Sequence, residues 1–253
     1  MVGSRLLRRT AWSWSSCELH DLPSQPTGSA CDRAARSLRQ HRRRASCRLM
    51  EDRMTVEFFF SPGSRYSYLA ASQMPALEAD TGCRVDWRPV NGTEIRGLRG
   101  RDPFAGEPVS GQYDWAYRRY DAECWADYYG IPFREPPTHD FDFKLLVRAA
   151  TASRRLGLAA AYGWRLCAAV YGFDVWPVDE AVCVRIAEEV GLPGSAFVSA
   201  LADPETERLA ASSADEACRR GAFGVPTFFV GQQMFWGNDR IVILRHFLRR
   251  RRA

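Results

Sequence analysis

The sequence predicts an α/β fold in which a β-α-β unit and a β-β-α unit are separated by a long helical stretch. Three observations predict it. "TVEFFF" (55–60) and "CRVDWRPV" (83–90) are short strand-like segments on either side of a helical run. From about 112 to 220 the apolar spacing is helical almost throughout. Strand character then returns at "VPTFFVGQQMFWG" (225–237), ahead of one last amphipathic segment.

Each element follows from its residues. "TVEFFF" is mostly apolar rather than alternating, as expected of a buried central strand. A Ser-Pro-Gly turn leads into "RYSYLAASQMPALEADTG", whose Leu69, Met74 and Leu77 fall on or near one stripe and whose stop signal is Gly82. In the second strand Val85 and Trp87 alternate with Asp86 and Arg88. Such β-α-β units are parallel and right-handed. Residues 91–110, rich in Gly, Pro and Arg, read as a loop. Six helical runs follow, punctuated by Pro132, Pro136, Pro137, Pro177 and Pro193. Two apolar segments flanking "GQQ" have hairpin spacing. In "NDRIVILRHFLRRR", Asn238 or Asp239 is the expected cap, Ile241, Ile243, Leu244 and Leu248 are expected to face inward, and the arginines suit the negative end of the helix dipole.

The chain has 253 residues and a formal charge of +5, but the charge is unevenly spread. Residues 1–53 carry +6 and the remainder about −1, so the body offers no general basic surface for nucleic acid. The first 53 residues mix Arg clusters with Ser, Pro and Gly without a sustained period, and read as a disordered extension. Met54, just before the first strand, is the expected start of the natural product. No apolar run is long enough to span a membrane. Eight cysteines include no C-x-x-C pair, and several sit in apolar helical runs, which predicts buried free thiols in a reducing cytoplasm. Four histidines with no His/Cys/Asp cluster at ligand spacing predict no metal.

The chemistry concentrates at "SPGSRYSY", where a strand ends and a helix begins. Ser64 and Ser67 stand three apart, where a redox protein would hold two cysteines. Disulfide exchange needs a nucleophilic sulfur, so this site cannot perform it. A serine here is a helix N-cap on its own merits. A hydroxyl beside a helix N-terminus also suits a bound anion, including a thiolate.

Three stretches, "SRYSYLA" (64–70), "CWADYYGIPF" (124–133) and above all "GAFGVPTFFVGQQMFWGNDRI" (221–241), resemble the 2-hydroxychromene-2-carboxylate isomerases and kappa-class glutathione transferases, members of the DsbA-like thioredoxin group. The resemblance spans roughly 55–250. It implies a thioredoxin-like fold interrupted by an all-helical insertion: a first half over 54–110, the insertion over 111–221 and a second half over 222–253. It implies a glutathione-dependent isomerase interconverting 2-hydroxychromene-2-carboxylate and trans-o-hydroxybenzylidenepyruvate or a similar aromatic enone, with a small aromatic 2-oxo acid as substrate. Glutathione, or another low-molecular-weight thiol, is the implied cofactor, and a homodimer the implied assembly. Ser64 is then the catalytic residue, holding the thiolate. The thiol ligand would also meet the backbone of Val225, a cis-bonded Pro226, Asn238 and Asp239. Arg65, Tyr66, Phe235 and Trp236 would form the substrate pocket, with Arg65 a candidate for a substrate carboxylate. The sequence departs from the family at Arg65, where proline is usual, and at Ser61, where aspartate is common. A kappa-like transferase and a non-catalytic thioredoxin-like binding protein are the alternatives.

Overall fold

The strands are short because Pro and Gly bound them, and their pairing follows from which faces are apolar. A computed structural model of the chain describes residues 54–98, 115–138, 142–173 and 175–252. The Arg-rich segment 1–53 and most of the 91–110 loop lie outside the described residues.

Strands β1 (Thr55–Phe60), β2 (Arg84–Pro89), β3 (Thr227–Val230) and β4 (Gln233–Trp236) form one sheet in the order β2-β1-β3-β4. β1 pairs with β2 in parallel, and β3 is antiparallel to both β1 and β4. Helix α1 (Arg65–Thr81) makes the β1–β2 crossover and ends at Gly82, whose φ of 67° is the left-handed cap expected of glycine. The remaining helices are α2 (Gly92–Leu98), α3 (Trp115–Tyr129), α4 (Phe143–Arg155), α5 (Ala159–Tyr171), α6 (Glu180–Glu189), α7 (Gly194–Ala202), α8 (Pro204–Arg219) and, after a 3₁₀ turn at Asn238–Arg240, α9 (Ile241–Arg252).

Strand alternation divides the core in two. Val56, Phe58, Phe60, Val85, Trp87, Phe228 and Val230 face α1, α5 and α9 in the larger core. Phe59 and Phe229 point the other way, onto Val90, Ile95 of α2 and Ala214 and Ala217 of α8. Arg88 ties that second face together, with ion pairs to Glu57 at 2.8 Å, Asp86 at 2.9 Å and Glu216 of α8 at 2.6 Å.

Two expectations require correction. Residues 92–98 form a helix rather than loop, started by Asn91, whose Oδ1 accepts from the Thr93 N–H at 3.0 Å. In α9, Ile243 does not face inward: it is 50% exposed, while Ile241, Leu244 and Leu248 are buried. Residues 241, 244 and 248 share one helical face, and position 243 is turned about 200° from 241 at about 100° per residue.

Close approach of α5 to the sheet depends on Gly163. A Cβ there would fall 2.9 Å from Phe60 Cζ and 3.1 Å from Trp87 Cε3. Neither ring can retreat easily, because Phe60 stacks on Phe58 at 5.1 Å and meets Trp87 edge-on at 5.3 Å. Gly163→Ala gains about 1 kcal/mol of helix propensity and loses about 1–3 kcal/mol to overpacking. Urea denaturation is expected to show a net loss of stability; a gain would contradict this packing.

Candidate active site

After β1 the chain turns through Ser61-Pro62-Gly63, and the turn is closed by Ser64 N–H donating to the Ser61 carbonyl at 3.0 Å. Ser64 is extended (φ −115°, ψ 121°) and caps α1, its Oγ accepting from Ser67 N–H at 3.3 Å. Ser67 is buried, and its own Oγ accepts from Ser61 N–H at 3.2 Å, so it braces the turn. The capping contact uses a lone pair of Ser64, leaving the hydroxyl proton for a ligand. Gly63 sits where a Cβ would lie 2.7 Å from Phe143, which lets α4 close over the turn.

The turn borders a cavity of about 670 Å³ walled by several chain segments. Ser61, Gly63, Ser64, Arg65 and Tyr66 come from the β1–α1 junction, and Gly224, Val225 and Pro226 from the entry to β3. Trp236 ends β4 and Gly237, Asn238 and Asp239 follow it, while α2, α3, Phe143 and Tyr171 supply the rest of the wall. The Val225–Pro226 bond is cis. The Pro226 carbonyl accepts from Gly237 N–H at 3.0 Å, tying the strand entry to the end of the hairpin. Gly237 (φ 103°) permits the next turn, since a Cβ there would fall 2.4 Å from the Asp239 carboxylate.

Asn238 is 3% exposed, and its Nδ2 has no hydrogen-bond partner among the described residues. An unpaired buried amide is costly, and such atoms in a cavity wall suit a ligand. The Asn238 carbonyl accepts from the Tyr129 hydroxyl at 3.4 Å, and burial pushes that phenol up to about 12, so it remains a donor. Asp239 is exposed and pairs with Arg240 at 2.6 Å. The side-chain cap expected at these two residues is not made at the 3₁₀ turn, which takes in Asn238 and Asp239 themselves and has Gly237 at its cap position.

Of the four residues expected in the substrate pocket, three line the cavity. Tyr66 donates its hydroxyl to Asp121 Oδ2 at 2.9 Å. Trp236 lies against Phe223, with ring centroids 4.7 Å apart. Arg65 lines the cavity but does not offer a free guanidinium: it pairs with Glu135 at 2.9 Å, the two side chains being 7% and 9% exposed. Burial raises the Glu135 carboxyl, and the Arg65 charge opposes that rise. Phe235 is not in the wall. It is opposite Phe228 in the hairpin and packs on Phe247 at 5.3 Å, because consecutive strand residues point to opposite faces.

Sequence inspection missed the contribution of α3. Arg118, Asp121 and Trp125 reach the cavity at i, i+3 and i+7, a one-face spacing that was present in "YRRYDAECW". Arg96 of α2 and Phe143 of α4 carried no such signal. Among the described residues Cys83, Cys167 and Cys183 are buried free thiols as expected, but Cys124 is exposed. Neither these four nor the half-buried Cys218 borders the cavity.

A parallel β-α-β start, an antiparallel hairpin finish and a cis-proline loop facing a helix N-terminus define a thioredoxin-like protein, here with hydroxyls where a dithiol would stand. The chain belongs to the DSBA-like thioredoxin domain family, which matches residues 55–249. It is 29% identical over 197 residues to the 2-hydroxychromene-2-carboxylate isomerase of Sphingobium xenophagum, covering 77% of this chain and 97% of that one. Against the same-named isomerase of Pseudomonas putida it is 28% identical, covering 76% of this chain and 92% of the relative. A solved 2-hydroxychromene-2-carboxylate isomerase superposes with a TM-score of 0.67 at 28% identity, over 78% of this chain and 95% of that structure. A probable DsbA oxidoreductase from Streptomyces coelicolor shares the fold, with a TM-score of 0.60 at 19% identity, over 78% of this chain and 89% of that structure. Among the described residues no helix is long and apolar enough to cross a membrane.

Proposed function

We propose that the protein is a glutathione-dependent isomerase interconverting 2-hydroxychromene-2-carboxylate and trans-o-hydroxybenzylidenepyruvate, or a closely similar aromatic enone acid. The observation that carries this reading is Ser64, at the start of α1 in an aromatic-walled cavity, in a chain three of whose relatives bear that isomerase name. Glutathione, when bound, supplies a thiol able to add to a conjugated double bond and to leave again after rotation. The residues fit such a group: Asn238 Nδ2 is a buried donor without a partner, suited to a carboxylate, and the exposed Asp239 suits an ammonium. The Val225 backbone, just outside β3, suits main-chain pairing with an extended peptide.

Ser64 would donate its hydroxyl proton to the sulfur, while the amides opening α1 favour negative charge beside it. Trp125, Trp236 and Phe143 give the aromatic substrate flat apolar walls and exclude water. The test is the absorbance change of 2-hydroxychromene-2-carboxylate with and without glutathione. Conversion that requires glutathione is the expected result. A product that retains the sulfur would replace the isomerase with a kappa-like transferase. Failure to bind any small thiol would leave a non-catalytic binding protein.

A further inference from the structure

Tyr66 of α1 and Asp121 of α3 meet across the cavity, the phenol donating to Asp121 Oδ2 at 2.9 Å. The direction of that bond sets the polarity of the wall. A carboxylate accepts and does not donate, and a phenol has one proton to give. With the proton committed to Asp121, the Tyr66 oxygen can present only lone pairs to the cavity. Burial, and then the Asp121 charge, raises the phenol above its ordinary range, so the proton stays in place. The neighbouring walls hold rings, with Trp125 from the same face of α3 and Trp236 and Phe143 from elsewhere, beside the Arg65 and Arg118 charges, which oppose the rise of the phenol without reversing it. A flat aromatic ligand held there meets an acceptor at its edge.

We infer that Tyr66, positioned by Asp121, selects ligands that carry a hydroxyl donor on the aromatic ring. The inference rests on the proposed function for the identity of the ring compound and adds the ring substituent that the site recognises. The ligand hydroxyl, Tyr66 and Asp121 form a chain of hydrogen bonds running in one direction, and such chains reinforce one another. A ligand without the hydroxyl leaves the Tyr66 acceptor dry and unpaired, which is how polar sites reject close analogues. Asp121 acts through Tyr66 and is a positioning residue.

The test is equilibrium binding, by calorimetry on the full chain, of trans-o-hydroxybenzylidenepyruvate and of the same acid without its ring hydroxyl. Wild type is expected to prefer the hydroxylated acid about tenfold, the worth of one partly buried hydrogen bond. Tyr66→Phe should equalise the two Kd values within about twofold, with only a small loss of thermal stability from the unpaired Asp121 carboxylate. Asp121→Ala removes the acceptor, releases the Tyr66 proton toward the ligand and should shift preference to the 2-methoxy analogue, which only accepts. A merely structural role for Asp121 would not change which analogue is preferred. Equal binding of both acids by wild type, a parallel loss for both acids in Tyr66→Phe, or binding of neither acid would each overturn the inference. Turnover is measured in parallel. Discrimination without turnover would refute the isomerase proposal and leave this inference standing, and turnover without discrimination would do the reverse.

Discussion

Ser64→Ala is expected to lower glutathione-dependent kcat/KM on 2-hydroxychromene-2-carboxylate about 10²–10³-fold, the usual cost of removing one donor from a developing or bound anion. The same residue caps α1, its Oγ accepting from Ser67 N–H at 3.3 Å, so the variant also loses about 1 kcal/mol of stability. The two roles separate with Ser64→Asp. Aspartate is as good an N-cap as serine, so the fold should be retained. Its charge would repel the thiolate, so activity should still fall. Ultraviolet absorbance of the bound thiolate gives the direct readout: the thiol pKa should rise in both variants. If Ser64→Asp kept wild-type turnover, capping would be the whole role of Ser64 and the proposed mechanism would fail.

Glu135→Gln is expected to lower stability by up to about 3–5 kcal/mol in urea denaturation, because it removes the carboxylate charge facing Arg65 at a site where both side chains are under a tenth exposed. Solvent screening, which reduces surface pairs to about 1 kcal/mol or less, has little hold there. The paired replacement Arg65→Met with Glu135→Leu removes both charges and should recover most of the loss. A cost below about 1 kcal/mol for Glu135→Gln would mean that the pair is solvated in solution. Arg65 is the first residue of α1, next to Ser64, so the single variant should also disturb the cavity floor, whereas the double variant should restore it.

What the sequence made legible was what local chemistry decides. The β1 strand, the α1 stop at Gly82, the hairpin and the Ser64 cap follow from runs of apolar residues, a left-handed glycine and a polar residue before a periodic segment. The cis bond at Val225–Pro226 came through the family resemblance and is present. Errors arose where partners lie far along the chain. Arg65 resembles a free clamp until Glu135, seventy residues on, is folded against it. Phe235 and Trp236 are equally aromatic in the sequence, and only the pairing of β4 with β3 assigns them to opposite faces. The helix at 92–98 was hidden by its two glycines, because burial of Ile95 under α8, not propensity, holds it. The one-face spacing of Arg118, Asp121 and Trp125 was present in the sequence, but nothing local announces that the acid on this helix will meet a phenol on another.

The cavity is assembled from chain segments that hold different parts of it. Ser64, Val225 and Asn238 stand at the sheet's end and the hairpin, while Arg118, Asp121 and Trp125 ride on α3. Substitutions along one face of α3 can therefore redraw the aromatic compartment without touching strand register, the cis peptide or the cap of α1. If the proposed thiol is held there, such a division would let that half stay constant while α3 changes to take new ring systems, a form of modular drift that a site built from one loop would not allow.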